Sequence, residues 1–357
     1  MNEFNRAVAA SIAAALSVSL AHGQALRAVA STPDADFDVP TSQVVSRTPT
    51  FADTGTDVVG VGMIATFTLV VGDTVDGTGP WALDVSILPT APGGETGALY
   101  NPLGGDVTIA DFPLMDGAAL FDAPVSGGGE WTLGFSSAEP RSNWTYGLRD
   151  VTYYLLADAP GVAFETTATP DPEQTWDRPF FIAGVSSGGP VAYDAMEFTV
   201  AETGVYEFLS VRPDGANHYT FLYQGDFDST APLDDLVDYG LGNGFDPFST
   251  PRGTSTFSSL LLEGVTYFWV TSQWDRFGSI ATAENSIFGP GAVTVAGGGC
   301  SGADIAAPFG ELDIADVVAF LNAFGAMDAA ADLGAPMGAF DIADVVEFLR
   351  LFGEGCP

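Results

Sequence analysis

The sequence predicts a mostly β protein: two antiparallel β-sandwich or jelly-roll domains followed by a small α-helical repeat pair. Three observations carry that expectation. Apolar and polar residues alternate in short runs between turn clusters through most of the chain. The last 58 residues contain one unit written twice. The composition, 46% hydrophobic and 12% aromatic with 43 glycines in 357 residues, suits a folded, turn-rich protein and not a disordered one.

Taken in order, residues 1–23 read as a secretion signal. Arg6 supplies a positive end, Ala7 to Ala21 form an apolar run of small residues, and Ala21-His22-Gly23 suits cleavage. The run is too short to span a membrane, and no later stretch is long enough. Residues 24–50 carry Thr, Ser, Pro and Asp without clear period and read as a leader. Residues 51–158 read as the first β domain. Phe67, Leu69 and Val71 alternate with Thr66, Thr68 and Val70; Trp81, Leu83, Val85 and Ile87 form a second run; Trp131, Leu133 and Phe135 form a third. A Thr-, Pro- and acid-bearing linker at 159–174 leads to a second β domain at 175–297. There Met196, Phe198 and Val200, then Tyr219, Phe221 and Tyr223, then Val265, Tyr267 and Trp269 alternate with their neighbours. Asn143-Trp144-Thr145 is a formal glycosylation sequon and reads as an ordinary exposed loop.

The repeat pair occupies residues 300–357. Asp304-Ile-Ala-Ala-Pro308-Phe-Gly310 precedes Asp313-Ile-Ala-Asp316-Val-Val-Ala-Phe-Leu, and Asp332-Leu-Gly-Ala-Pro336-Met-Gly338 precedes Asp341-Ile-Ala-Asp344-Val-Val-Glu-Phe-Leu. Equivalent residues are always 28 apart, which marks a duplication. Val317, Phe320, Leu321 and Phe324, with Val345, Phe348, Leu349 and Phe352, have the i, i+3, i+4, i+7 spacing of two amphipathic helices, each ended by glycine at Gly325 or Gly353. Neither helix can bury that stripe alone, so the two are expected to pack together. Asp313 and Asp341 stand where an N-cap belongs, with Asp316 and Asp344 three residues on, and Leu312 with Val317 and Phe340 with Val345 have staple spacing. Capping accounts for four of the six acids and leaves Asp304 and Asp332 over.

The duplicated loop–helix unit and the closing Gly-Cys-Pro resemble a dockerin, in the variant called GC-type, over about the last 55 residues. The resemblance implies a non-catalytic, EF-hand-like attachment module of an exported protein, bound by a cohesin-like or other cell-envelope receptor. It also implies calcium as cofactor, with Asp304, Asp313, Asp316, Asp332, Asp341 and Asp344 as candidate ligands. The loops depart from the family pattern: Ala306 and Pro308, then Gly334 and Pro336, stand where oxygen ligands belong, and each loop is one residue longer. Calcium takes six to eight oxygens, so carbonyls and water must complete the shell, and capping with a solvated loop is the competing account. A dockerin presents helix faces to its receptor. The outward positions were expected at Ala319/Glu347, Asn322/Arg350 and Ala323/Leu351, with Glu347, Arg350 and Leu351 the favoured contacts.

Two weaker resemblances concern the β domains. Phe121-Asp-Ala through Val151-Thr-Tyr-Tyr is similar to protease-associated P-domain jelly rolls. Phe198-Thr-Val, Gly204-Val-Tyr, Phe221-Leu-Tyr and Gly264-Val-Thr-Tyr resemble the pre-peptidase C-terminal sandwich, which implies adhesion or glycan contact.

Composition limits the chemistry. The formal net charge is -36 and all ten bases are arginine, so nothing neutralises phosphates, and nucleic acid and anionic membranes are poor partners. Acidity that keeps a protein soluble in salt explains the charge without a specific function. Cys300 and Cys356, the only cysteines, bracket the repeat pair. In an exported chain they are expected to pair, adding about 4 kcal/mol by the chain-entropy model. They are too few for a zinc shell. A second acidic site is conceivable at Asp226, Asp228, Asp234 and Asp235, against a solvated acidic loop. Trp176, Trp269, Trp274 and Phe277 are candidates for sugar stacking, against a core role.

His218, the one histidine after the signal, reads as a surface residue at a strand end. No nucleophile elbow, P-loop or zincin motif occurs, so no catalytic residue is assigned. A two-carboxylate glycoside hydrolase is the one enzyme class that composition leaves open. The reading is therefore a non-catalytic protein exported from a bacterial cell to its surface or an extracellular complex. The alternative is a polysaccharide-binding or polysaccharide-degrading protein delivered by the same module.

Overall fold

The computed structural model describes residues 24–71, 85–101, 112–115, 117–138, 144–180, 184–241, 252–295, 303–306, 312–326, 331, 333–334 and 340–355. The expected signal, Trp81, Leu83, Asn143, Cys300, Asp332 and Cys356 lie outside them. The fold is mostly β, with antiparallel sheets and two short C-terminal helices. In chain order the strands are β1 (Gln24–Pro33), β2 (Phe37–Pro40), β3 (Val45–Arg47), β4 (Thr50–Phe51), β5 (Asp57–Val71), β6 (Val85–Thr90), β7 (Phe112–Leu114), β8 (Ala119–Ser126), β9 (Gly129–Glu130) and β10 (Thr132–Ser137). They continue with β11 (Thr145–Pro160), β12 (Val162–Ala168), β13 (Asp171–Trp176), β14 (Val191–Val200), β15 (Gly204–Val211), β16 (His218–Gln224), β17 (Leu236–Leu241), β18 (Thr254–Leu261), β19 (Tyr267–Gln273) and β20 (Ala283–Gly289). The helices are α1 (Ile314–Ala326) and α2 (Ile342–Glu354). The chain divides into two compact units, the first ending at Thr294 and the second running from Val295 and taking in Met196–Phe198.

The first unit is organised on β11. It pairs with β1 from Gln24↔Pro160 to Pro33↔Thr152 and with β5 from Thr145↔Val71 to Leu156↔Gly60. On the main-core face its buried side chains are Tyr146 and Leu148, then Val151, Tyr153 and Leu155, while Tyr154 and Leu156 are buried in a smaller cluster. Even positions give way to odd ones because the register with β5 shifts between Arg149 and Thr152, where Asp150 has φ 51°. A bulge there adds one residue and returns the apolar side chains to the same face. Asp36 steadies the bulge by accepting the Asp150 N–H at 3.0 Å.

Two expectations are corrected by these pairings. Residues 24–50 are not a leader: they hold four strands, and β1 lies between β11 and β15. Arg47 donates from Nε to Asp34 at 2.7 Å and the Tyr153 hydroxyl donates to the same carboxylate at 3.1 Å, which pins this segment to β11. Leu26, Phe37 and Val39 are buried, but the four strands are short or alanine-rich and give only brief alternation. Residues 159–174 are not a linker either, since they carry the end of β11, all of β12 and the start of β13.

The two expected sandwiches are also not separate. The ten-stranded sheet runs β12-β20-β15-β1-β11-β5-β7, with β18, β2 and β8 attached to β15, β11 and β5, so it takes strands from both halves. One buried cluster joins Trp131, Phe135 and Tyr153 to Trp176, Tyr219, Phe221 and Val270. Two smaller groupings, β3-β10-β6 and β13-β14-β19-β16-β17, complete the main layers. The alternating runs at 131–135 and 219–223 do supply core residues as expected, but in the second run Thr220 and Leu222 are buried as well, so both faces of β16 are covered.

If β1 is structural, Leu26→Ala should lower the stability of the first unit by about 2–5 kcal/mol in denaturant melts, the usual cost of a large buried aliphatic. A residue in a detachable leader would leave the melt unchanged.

Candidate attachment module and the other predicted sites

The second unit is built by two equal halves. Asp341 caps α2 by accepting the Ala343 N–H at 2.7 Å, and Asp344 reaches back to the Asp341 N–H at 2.9 Å, a reciprocal capping box. Asp313 and Asp316 do the same for α1, at 2.6 Å from the Ala315 N–H and 2.8 Å from the Asp313 N–H. The second carboxylate of each pair has a further task. Asp316 accepts the Ile305 and Ala306 N–H groups at 2.9 and 2.8 Å, and Asp344 accepts that of Gly334 at 2.8 Å. Each acid thereby ties its incoming loop to the start of its helix. At Gly334 the approach is so close that a Cβ would lie 2.5 Å from the carbonyl carbon of Ala343.

These bonds define what the acids do. Asp316 and Asp344 are fully buried, and the backbone N–H donors around Asp344 hold its carboxyl below the ordinary carboxylate range. Asp313 and Asp341 are exposed caps, while Asp304 is buried. Among the described residues no three histidine, cysteine or acidic side chains gather as a metal group. A calcium cage needs six to eight oxygens facing one point, and the oxygens of Asp316 and Asp344 are here engaged by backbone N–H groups.

The core of the module centres on Phe320 and Phe348, equivalent residues whose rings stack at 4.1 Å and 13°. Leu312, Val317, Phe324, Phe340, Val345 and Phe352 pack around them, as the staple and stripe spacing predicted. Three expectations change. The helices do not stop at Gly325 and Gly353; they run to Ala326 and Glu354, and Gly355 with φ 78° closes the second. Leu351, expected on an outward face, packs against the core. Leu321 and Leu349, expected inside, are each 58% exposed.

That last change exposes a second stripe. Ile314, Val318 and Leu321 on α1 are 73%, 52% and 58% exposed, and their equivalents Ile342, Val346 and Leu349 on α2 are 72%, 59% and 58% exposed. The spacing i, i+4, i+7 puts each trio on one side of its helix. Arg350 and Glu347, the charged residues expected to bind, form an i, i+3 ion pair at 2.6 Å beside it. The sequence signal was present, since six apolar residues are more than one buried stripe needs. It was hidden because two adjacent stripes read as one wide one.

The other candidates lie in the first unit. Asp228 accepts the N–H and hydroxyl of Thr230 at 2.8 Å, Asp226 accepts the Phe227 N–H at 2.8 Å, and Asp235 has φ 59°, so the acidic loop is shaped as a series of turns. Asp234 lies in the same loop, its N–H donating to the Ala231 carbonyl at 2.9 Å. Trp176 and Trp269 are core residues, and Trp274 stacks on Tyr219 at 4.7 Å; Phe277 alone of the four is freely exposed, at 84%. His218 is not on the surface. It is buried, with Nε2 2.9 Å from the hydroxyl of Ser210, itself buried, so no substrate reaches the pair.

Burial, helped by the nearby Arg212 cation, pushes the His218 imidazole down to about 4. The unfolded chain binds that proton near pH 6.5, so the first unit should lose stability as pH falls from about 6.5 to 4, and His218→Gln should flatten that slope. In the second unit the depressed Asp344 carboxyl contributes stability above its unfolded value, and that contribution is lost as pH falls below about 4. Asp344→Asn should speed amide exchange in α2 at neutral pH, and the difference from the parent should close below about pH 4. An unchanged exchange rate at pH 7 would contradict the loop-tying role.

No protein-family model and no curated protein matches the chain. Among solved structures it is compared with the infectious bursal disease virus Gx strain at TM-score 0.10 and 9% identity, covering 77% of this chain and 78% of the other. A structure of infectious bursal virus derived T=1 particles gives TM-score 0.09 and 10% identity, with coverages of 77% and 76%. Likeness at that level carries no argument about fold or function.

Proposed function

We propose that the chain is an exported, non-catalytic protein held at the cell surface or in an extracellular complex by its C-terminal repeat pair. In this reading the duplicated helices dock onto a cohesin-like or other envelope receptor, and the β unit is the part displayed. One observation carries the reading: the repeats expose the same apolar trio twice, where a helix serving only its own core would present polar residues. Both trios sit on helices whose caps and loops are rigidly tied, so the faces are held ready for a partner.

A receptor suited to these faces offers an apolar groove for the central leucines. Retention of the full chain on isolated envelope of the producing cell tests this. Leu321→Asp with Leu349→Asp should abolish retention with unchanged circular dichroism, whereas Arg350→Glu should change it little, since Arg350 is occupied by Glu347. Full retention of the folded double variant would overturn the proposal.

A second reading, glycan contact by the β unit, has one observation in its favour. Phe277 stands out from a turn braced by Asp275, which accepts the Phe277 N–H at 2.8 Å, and Arg276 lies 4.7 Å from its ring centre.

A further inference from the structure

Among the described residues, a lane beside β1 carries no paired strand beyond the start of β15. β15 pairs with β1 at Leu26↔Val205 and Arg27↔Gly204 and begins there, after the chain has turned through Glu202 and Thr203. The strands touch closely at this end, where a Cβ on Gly204 would sit 2.2 Å from the Leu26 carbonyl oxygen. Ala28 donates its N–H to the Thr203 carbonyl at 2.7 Å and closes the lane. From that point to Pro33, β1 is paired with β11 on one side, and among the described residues no strand pairs with its other side.

The lane is a groove of about 540 Å³. β1 from Arg27 to Ser31 forms one wall, Thr54 and Thr56 line it from the segment after β4, and Glu202, Thr203 and Glu263 are also at its surface. The Glu263 N–H donates to the Thr203 hydroxyl at 3.0 Å, which keeps the two acidic residues together. Glu202 and Glu263 are exposed. The bulge between Ala28 and Ala30 bends β1 where the lane opens.

We propose that this groove binds an extended, basic peptide segment that adds as a strand to the free edge of β1. An open edge supplies backbone donors and acceptors at the strand repeat, and main-chain bonding of that kind gives affinity without a fixed sequence. Three residues of β1, Val29 to Ser31, offer about 10 Å of edge, enough for about three residues of a guest strand. The charge selects the guest. The chain carries -36 and the groove has two carboxylates to one guanidinium, so a basic segment is attracted and a second copy of this chain is repelled. A glycan suits the groove less well, because its one aromatic, Tyr154, is only 9% exposed and offers little ring face for stacking.

The test uses the full chain and an eight-residue peptide alternating lysine and valine, with a fully N-methylated version that keeps the charge and loses every backbone donor. Titration calorimetry should show the first peptide binding and the N-methylated one at least about tenfold weaker. Amide exchange should show new protection in β1 between Ala28 and Pro33. Glu202→Gln with Glu263→Gln, both at exposed positions, should weaken the first peptide about tenfold with an unchanged circular dichroism spectrum. Equal binding of the two peptides would reduce the effect to charge attraction and overturn the proposal. So would binding without protection of β1, or no binding at millimolar peptide.

Discussion

The first unit depends on one constraint: β11, sixteen residues long, must bring apolar side chains to the main core on both sides of its bulge while pairing with β1 and β5. A regular strand of that length twists, and its side chains drift from the core they began in. The bulge at Arg149–Asp150 resets them, and the left-handed Asp150 is where the reset happens. Tyr146 and Leu148 before it, and Val151, Tyr153 and Leu155 after it, then reach one cluster. That same cluster accepts Trp176 and Tyr219 from the second half of the chain, which is why the two halves cannot be separate domains. The arrangement also accounts for the N-terminal strands, because β1 and β2 both use β11 as their partner.

The second unit solves a different problem, that of a small core made from two weak halves. Stacking Phe320 on Phe348 places equivalent side chains against each other, so each half provides what the other lacks. Its loops contribute Ala303, Ile305, Ala331 and Leu333 to that core, and the buried carboxylates Asp316 and Asp344 add hydrogen bonds from loop backbone N–H groups. A carboxylate accepting two or three such bonds is satisfied without a metal. Burial of the acids and exposure of the isoleucine, valine and leucine trios are thus two sides of one design, in which polar groups secure the inside and apolar ones face outward.

Legibility in the sequence follows the range of the interactions concerned. The caps, the staple pairs and the helices were legible because they depend on residues within four positions of each other, and Asp341 with Asp344 closes as its spacing predicts. The strands at 131–135 and 219–223 were legible because one or both faces are buried over a continuous run. β1 was not, since its burial depends on Tyr154 and Val205, far along the chain, and alanines dominate its face. His218 was misplaced for a related reason. Its position at a strand end says nothing about the neighbouring strand that brings Ser210 to its ring. The division of the module's apolar residues into inner and outer stripes needed the crossing of the two helices, which no single helix encodes.

The acidity of the chain reads differently once its acids are placed. Asp53, Asp171, Asp214, Asp228, Asp275 and Asp313 each accept the backbone N–H two residues on, at 2.6 to 3.0 Å. That bond is local, forms in any solvent-facing turn, and needs the short oxygen-bearing side chain of aspartate. At these six positions the aspartate has a conformational role, in a turn, at a strand start or at a helix cap. The functional signal lies instead in the residues that break the local rule. Exposed isoleucine, valine and leucine on α1 and α2 serve neither a cap nor a core, and among the described residues no strand pairs with one side of β1 beyond Ala28. The two proposed recognition surfaces rest on these apolar and unpaired features and not on the number of acids.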